Sequence, residues 1–165
     1  MTKAYLGLGS NIGERIGYIE NALKEIEKIE GTKVIRASRV YETEPWGNIK
    51  QDDYLNSAAE IETSLDAESL LKELKKIEKN AGRTENEKWG QREIDIDLLF
   101  YGDEIIENQF MKVPHPQIEN RKFVLIPMSE LNAEYIHPVL KKTISQLLRE
   151  TEDELSVIKY KTIKT

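Results

Sequence analysis

The chain has 165 residues, 39% hydrophobic and 33% charged, with a formal net charge of -6; this suits one globular core and excludes a disordered chain or a broadly basic nucleic-acid binder. Cysteine is absent, which excludes disulfides, a thiolate nucleophile and cysteine-ligated zinc. No apolar run approaches the ~18 residues of a membrane span, and the opening MTKAYLGLGSN has neither a signal-peptide apolar region nor transit-peptide arginines, so a single cytoplasmic domain over 1–165 is expected.

Ala4, Leu6 and Leu8 alternate with Tyr5 and Gly7, which predicts a first strand running out at Gly9. The glycines of GLGSNIG, at 7, 9 and 13, miss the G-x-G-x-x-G spacing by one residue, so this is no dinucleotide fingerprint. Ile16, Ile19, Leu23, Ile26 and Ile29 then follow helical spacing, with Glu14 near the start and Gly31 past the end. Residues 34–41 are rich in β-branched side chains and 56–63 alternate again, predicting two strands joined by a long loop. Leu70, Leu71, Leu74, Ile77 and Ala81 define a second amphipathic helix between Asp66, a good N-cap, and Gly82. A second polar loop leads to residues 94–101, the most β-like stretch. Beyond it Pro114, Pro116, Pro127 and Pro138 are expected to divide the chain into short pieces, with a helix near 143–149 and a strand near 155–160.

The order β-α-β-β-α-β predicts an α+β, ferredoxin-like sandwich with additional C-terminal helices and a strand. Fold alone does not give function. In IDIDLLFY, strict alternation puts Ile94, Ile96, Leu98 and Phe100 on a core face and Asp95, Asp97, Leu99 and Tyr101 on the other. Two residues along a strand span roughly 6.6–7 Å, a reach from which two carboxylates converge on metal ions about 3.5–4 Å apart. An isolated Asp-x-Asp is more often an acidic strip facing water. Here KWGQRE precedes it, and Arg83, Lys88 and Arg92 add phosphate-binding donors, although each alone reads as surface charge. Trp46 and Trp89 are the only tryptophans, each before glycine in a polar loop. Singly each reads as a core anchor; two such placements suggest flat surfaces or lids for a planar ligand. No Gly-Lys pair exists, so a Walker A loop is excluded, and the protein-kinase motifs are absent.

KWGQREIDIDLLFYG, together with GLGSN, YETEPWG, DYLN, the Gly82-Arg83 pair and VPHPQIENRKFVLIP, resembles the 6-hydroxymethyl-7,8-dihydropterin pyrophosphokinases of folate biosynthesis over nearly the whole chain and in order. The resemblance implies transfer of the pyrophosphoryl unit of ATP to the pterin hydroxymethyl group, with release of AMP. It further implies that Asp95 and Asp97 bind two magnesium ions, and that Arg83 and Arg92 act with them in catalysis. Thr43, Pro45, Trp46, Tyr54, Asn56, Trp89 and Phe123 would hold the pterin. ATP would be held by Glu78, Arg83, Trp89, Arg92, Leu98, Lys112, His115 and Arg121. His115 also has a turn-forming reading, the only one given to His137, and Arg121 one as a surface cation.

Gln91 stands where the family more often has a small residue or Glu, and TENEK after Arg83 is acidic where some relatives carry arginine. These departures bear on loop closure and product release. The expected partners are the two small-molecule substrates alone, with no nucleic acid or membrane, and the chain is expected to act as a monomer. The readings set against this one are a non-catalytic ferredoxin-like ligand-binding module and another Asp-x-Asp metal-dependent transferase.

Overall fold

The computed structural model describes residues 1–11, 14–43, 53–81 and 94–161. Strand β1 (Thr2–Ser10) leads into helix α1 (Arg15–Glu27), then strands β2 (Thr32–Ala37), β3 (Val40–Thr43) and β4 (Tyr54–Thr63), helix α2 (Ala67–Asn80) and strand β5 (Asp95–Tyr101). A short β6 (Ile106–Glu107) and β7 (Lys112–Val113) hairpin, a 3-10 turn at Ile118–Asn120, helices α3 (Lys122–Asn132) and α4 (Ile144–Glu150) and strand β8 (Val157–Lys161) complete it. The main sheet is antiparallel in the order β5-β1-β4-β3-β8, with β2 also pairing to β4. This is the expected ferredoxin-like core with added C-terminal elements.

Each face of the sheet has its own apolar core. Ala4, Leu6 and Leu8 of β1, with Ala59 and Ile61 of β4 and Ile96 and Leu98 of β5, pack against Ile19, Leu23 and Ile26 of α1 and Leu70 and Leu74 of α2. The helices are the amphipathic ones that the spacing predicts. Asp66 caps α2 by accepting the Ser69 N–H at 2.7 Å. On the opposite face Tyr5, Ala58, Leu99 and Phe100 pack against Leu125, Met128 and Leu131 of α3 and Ile144 and Leu147 of α4.

Three expectations are corrected. Residues 34–41 form two strands, because Ser38 interrupts the ladder: its N–H donates to the Ala58 carbonyl at 2.8 Å and its Oγ accepts the Ala58 N–H at 2.9 Å. Strict alternation in β5 fails at a bulge, since Leu6 pairs with Leu98 and Tyr5 with Phe100, leaving Leu99 as the extra residue. Phe100 therefore joins Leu99 against α3, and Tyr101 joins Ile94, Ile96 and Leu98 against α1 and α2. Pro127 does not break the chain but lies inside α3, buried there beside Met128. The apolar face that α3 contributes offsets the hydrogen bond that proline removes.

Candidate active site

Because β1 runs between β4 and β5, side chains facing α3 line up in rows across three strands. Tyr5 stands between Glu60 and Phe100, Gly7 between Ala58 and Asp97, and Gly9 between Asn56 and Asp95. The first row is closed. Tyr5 donates to Glu60 Oε1 at 3.0 Å and accepts from Asn132 Nδ2 at 3.0 Å, while Arg36 Nε reaches Glu60 Oε2 at 3.1 Å. Burial pushes the Glu60 carboxyl up, but hydrogen bonds from Arg36 and Tyr5 and the charges of Lys3 and Arg36 outweigh it and hold the group below its usual range.

In the other two rows the middle strand offers no side chain at all. A Cβ on Gly9 would lie 3.0 Å from Asn56 Oδ1, so the glycine is what lets that amide close over β1. Asn56 Nδ2 donates to Thr43 Oγ1 at 2.8 Å, and both residues are almost wholly buried. Thr43 pairs with Tyr54 at the last rung of the β3–β4 ladder. Three of the residues expected to hold the pterin, Thr43, Tyr54 and Asn56, are thus together. Across the two glycines, roughly 9–10 Å away by strand spacing, stand Asp95 and Asp97.

Both aspartates keep partial exposure, with the Asp97 side chain 45% accessible. His115 joins them: its N–H donates to the carbonyl of the bulged Leu99 at 3.0 Å, and its Nε2 lies 3.7 Å from Asp97 Oδ1. Glu78 lies behind the strand. It is 2% exposed, and its Oε2 accepts the Ile96 N–H at 2.7 Å, on the edge of β5 that no other strand among the described residues occupies. Its carboxylate therefore steadies the backbone between Asp95 and Asp97. The Leu98 side chain is buried toward α1 and α2 and does not face the aspartates. Lys112 is exposed on β7. Arg121 and Phe123 flank the first residue of α3, with the guanidinium carbon 5.8 Å from the ring centre. Pro45, Trp46, Arg83, Trp89 and Arg92 lie outside the described residues.

No group of three or more acidic or histidine side chains able to cage a metal occurs among the described residues. Two half-open carboxylates on one strand suit magnesium nonetheless, because that ion is ordinarily held by one or two carboxylates together with substrate phosphate oxygens and water. The donor set therefore fits magnesium carried by a polyphosphate.

Sequence reasoning passed over Gly7, Gly9 and Arg15, and it placed Glu78 at the nucleotide rather than behind β5. Gly7 and Gly9 signal themselves as glycines at alternate positions of a strand, which mark close approach of a neighbour. Glu78 has only its place on the apolar side of α2 as a signal. Arg15, the first residue of α1, donates to Glu42 Oε2 at 3.1 Å and to the Asp53 carbonyl at 2.8 Å, joining the two strand ends that border residues 44–52. Nothing in its spacing points to that.

A family profile described as 7,8-dihydro-6-hydroxymethylpterin-pyrophosphokinase matches residues 5–133. The chain is similar to proteins named 2-amino-4-hydroxy-6-hydroxymethyldihydropteridine pyrophosphokinase. That of Aquifex aeolicus is 46% identical over 147 residues, 88% of this chain and 90% of that one. That of Haemophilus influenzae is 37% identical over 153 residues, 93% and 95% of the two chains. Among solved structures, Plasmodium falciparum HPPK-DHPS superposes with a TM-score of 0.74 at 19% identity, covering 90% of this chain and 45% of that one. The likeness at that identity is one of fold, and the present chain spans less than half of the Plasmodium protein.

Proposed function

The chain belongs to the 7,8-dihydro-6-hydroxymethylpterin-pyrophosphokinase family, and from that premise we propose how its residues divide the work. The reaction is transfer of the pyrophosphoryl group of ATP to 6-hydroxymethyl-7,8-dihydropterin, giving the pterin diphosphate and AMP, a step of folate biosynthesis. The observation that carries the assignment is the pair of aspartates on β5 facing the Asn56–Thr43 pair across two glycines.

Asp95 and Asp97 hold two magnesium ions against the triphosphate. Magnesium held there would supply neutralisation of phosphate charge and alignment of the triphosphate for in-line displacement. The pterin lies over Gly9, its polar edge hydrogen-bonded by Asn56, which Thr43 orients, with Tyr54 and Phe123 beside the ring. Its hydroxymethyl oxygen attacks the β-phosphorus, the bond to the α-phosphate oxygen breaks, and AMP leaves. His115 and Arg121 are assigned to the phosphates, and the family resemblance gives Arg83 and Arg92 the same role. Pro45 and Trp46 are assigned to the pterin and Trp89 to the pterin and the nucleotide, as the family resemblance implies. Glu78 serves by fixing the backbone of Ile96, and Leu98 and Lys112 are assigned to the nucleoside. Among the described residues no helix is long and apolar enough to cross a membrane. We place the whole chain in the cytoplasm as one pyrophosphokinase domain acting as a monomer.

The test is product identity. Incubation with ATP, magnesium and 6-hydroxymethyl-7,8-dihydropterin yields AMP and no ADP. Release of inorganic pyrophosphate or a nucleoside diphosphate, or pterin binding without turnover, would overturn the assignment in favour of another metal-dependent transferase or a plain binding module.

A further inference from the structure

Helix α3 begins without a cap of its own. The residue in the N-cap position is Arg121, in an extended conformation (φ -130°, ψ 98°), and its side chain makes no capping hydrogen bond. A guanidinium cannot do so, since it carries donors only, whereas this position favours Ser, Thr, Asp or Asn. The acceptor comes from 31 residues further on. Asp153 Oδ2 takes the N–H of Lys122 at 2.8 Å, placing a carboxylate where the positive end of the helix dipole favours one.

Asp153 is itself held in place. Its N–H donates to Thr151 Oγ1 at 3.3 Å, and its Oδ1 accepts the Leu155 N–H at 2.9 Å. The Thr151 N–H donates to the Leu147 carbonyl at the end of α4. The segment then continues into β8, whose Val157 pairs with Thr43. Asp153 is thus the fixed point of a segment running from the start of α3 to the strand that carries the Asn56 contact.

We propose that Asp153 is a positioning residue for catalysis: it supplies the cap that lets Arg121 occupy the N-cap position, and so fixes where Arg121 and Phe123 enter the site. This rests on the assignment above of Arg121 to phosphate and Phe123 to the pterin. A helix start that is uncapped frays within its first turn, and the residues on either side of Lys122 are two of those assigned above to the substrates.

The experiment compares the full-length protein with Asp153→Ala, Asp153→Asn, Lys122→Pro and, as a neighbouring control, Glu152→Ala. Proline fits the first position of a helix and follows an extended residue well, so Lys122→Pro deletes the donor while leaving the helix able to start. If Asp153→Ala does not fold, Lys122→Pro carries the test. Asp153→Ala and Lys122→Pro are expected to raise the KM for ATP and for the pterin about fivefold, the equivalent of one lost cap. Their kcat changes less than twofold. Asp153→Asn keeps an acceptor oxygen and stays within about twofold of wild type in both KM values, as does Glu152→Ala. Hydrogen exchange at residues 121–125 reads the cap independently of turnover and accelerates in the two disruptive variants. A lowered Tm with unchanged KM values, or unchanged exchange at 121–125, overturns the proposal. Absence of AMP from the wild-type reaction would instead overturn the functional assignment, leaving the exchange result to decide on the cap alone.

Discussion

The two faces of one sheet are put to different uses by alternate residues of the same strands. On the side of α1 and α2, β1 presents Ala4, Leu6 and Leu8, all buried in a continuous apolar layer. On the other side it presents Tyr5, Gly7 and Gly9, a series from a buried ring to two glycines over which the side chains of Leu99 and Asn56 lie. The neighbours change in step, from Glu60 through Ala58 to Asn56 on β4 and from Phe100 to the two aspartates on β5. Helices α3 and α4 cover the end where the side chains are large. The candidate site lies at the other end of the second face. A stable layer and an open one can thus share a backbone, with the first supplying the rigidity that the second needs to hold like charges on adjacent rows.

If the division is right, substitutions on the two faces separate activity from stability. The largest effect is expected for Asp97→Ala, which should reduce kcat/KM on the order of 10³-fold by removing a proposed metal ligand while leaving Tm within a few degrees; near-normal AMP formation would break the division. Leu6→Ala on the covered face should do the reverse. Leu6 is 0% exposed, and its truncation costs about 2–5 kcal/mol, read as a lower denaturation midpoint with KM values unchanged for the folded fraction. Gly9→Ala sharpens the boundary. The added methyl meets Asn56 Oδ1 at 3.0 Å, and the pterin KM should rise about tenfold, within the ~1–3 kcal/mol cost of an overpacked contact, with the ATP KM little changed.

The smallest effect concerns the closed end. His137 is 4% exposed, lies edge-on to Phe100 at 5.4 Å, and its Nδ1 accepts the N–H groups of Val139 and Leu140. Burial pushes its pKa below 6.5, against the opposing charge of Glu119. The unfolded chain therefore takes up this proton first as pH falls. The stability contribution is complete above about pH 6.5 and is lost progressively below it. Thermal denaturation between pH 7.5 and 5.5 should show that slope in the wild type and a shallower one in His137→Asn; equal slopes would remove His137 from the account.

Much of the covered face was legible in the sequence because its determinants are local. Helical spacing marked α1 and α2, the Asp66 cap formed where expected, and alternation placed β1 and the Asp-x-Asp strand. Failures occurred where a distant partner overrides local pattern. Ser38 splits a strand through a contact with Ala58, Leu99 bulges where β1 and His115 compete for β5, and α3 keeps Pro127 because its apolar face is buried. The open face was legible chiefly through the whole-chain resemblance. Spacing within IDID could say that two carboxylates share a side, but only the three-strand register brings Asn56 and Thr43 opposite them. Glu78 illustrates the limit most clearly, because a charge on the apolar side of α2 acquires its meaning only from the edge N–H of Ile96.

Asp95 and Asp97 are proposed to hold two ions on the nucleotide, a number that Mn2+ titration followed by electron paramagnetic resonance counts. With a non-hydrolysable ATP analogue present, the wild type should bind two ions per chain and Asp97→Ala at most one. Two ions retained by an Asp95→Ala/Asp97→Ala double variant would contradict the account.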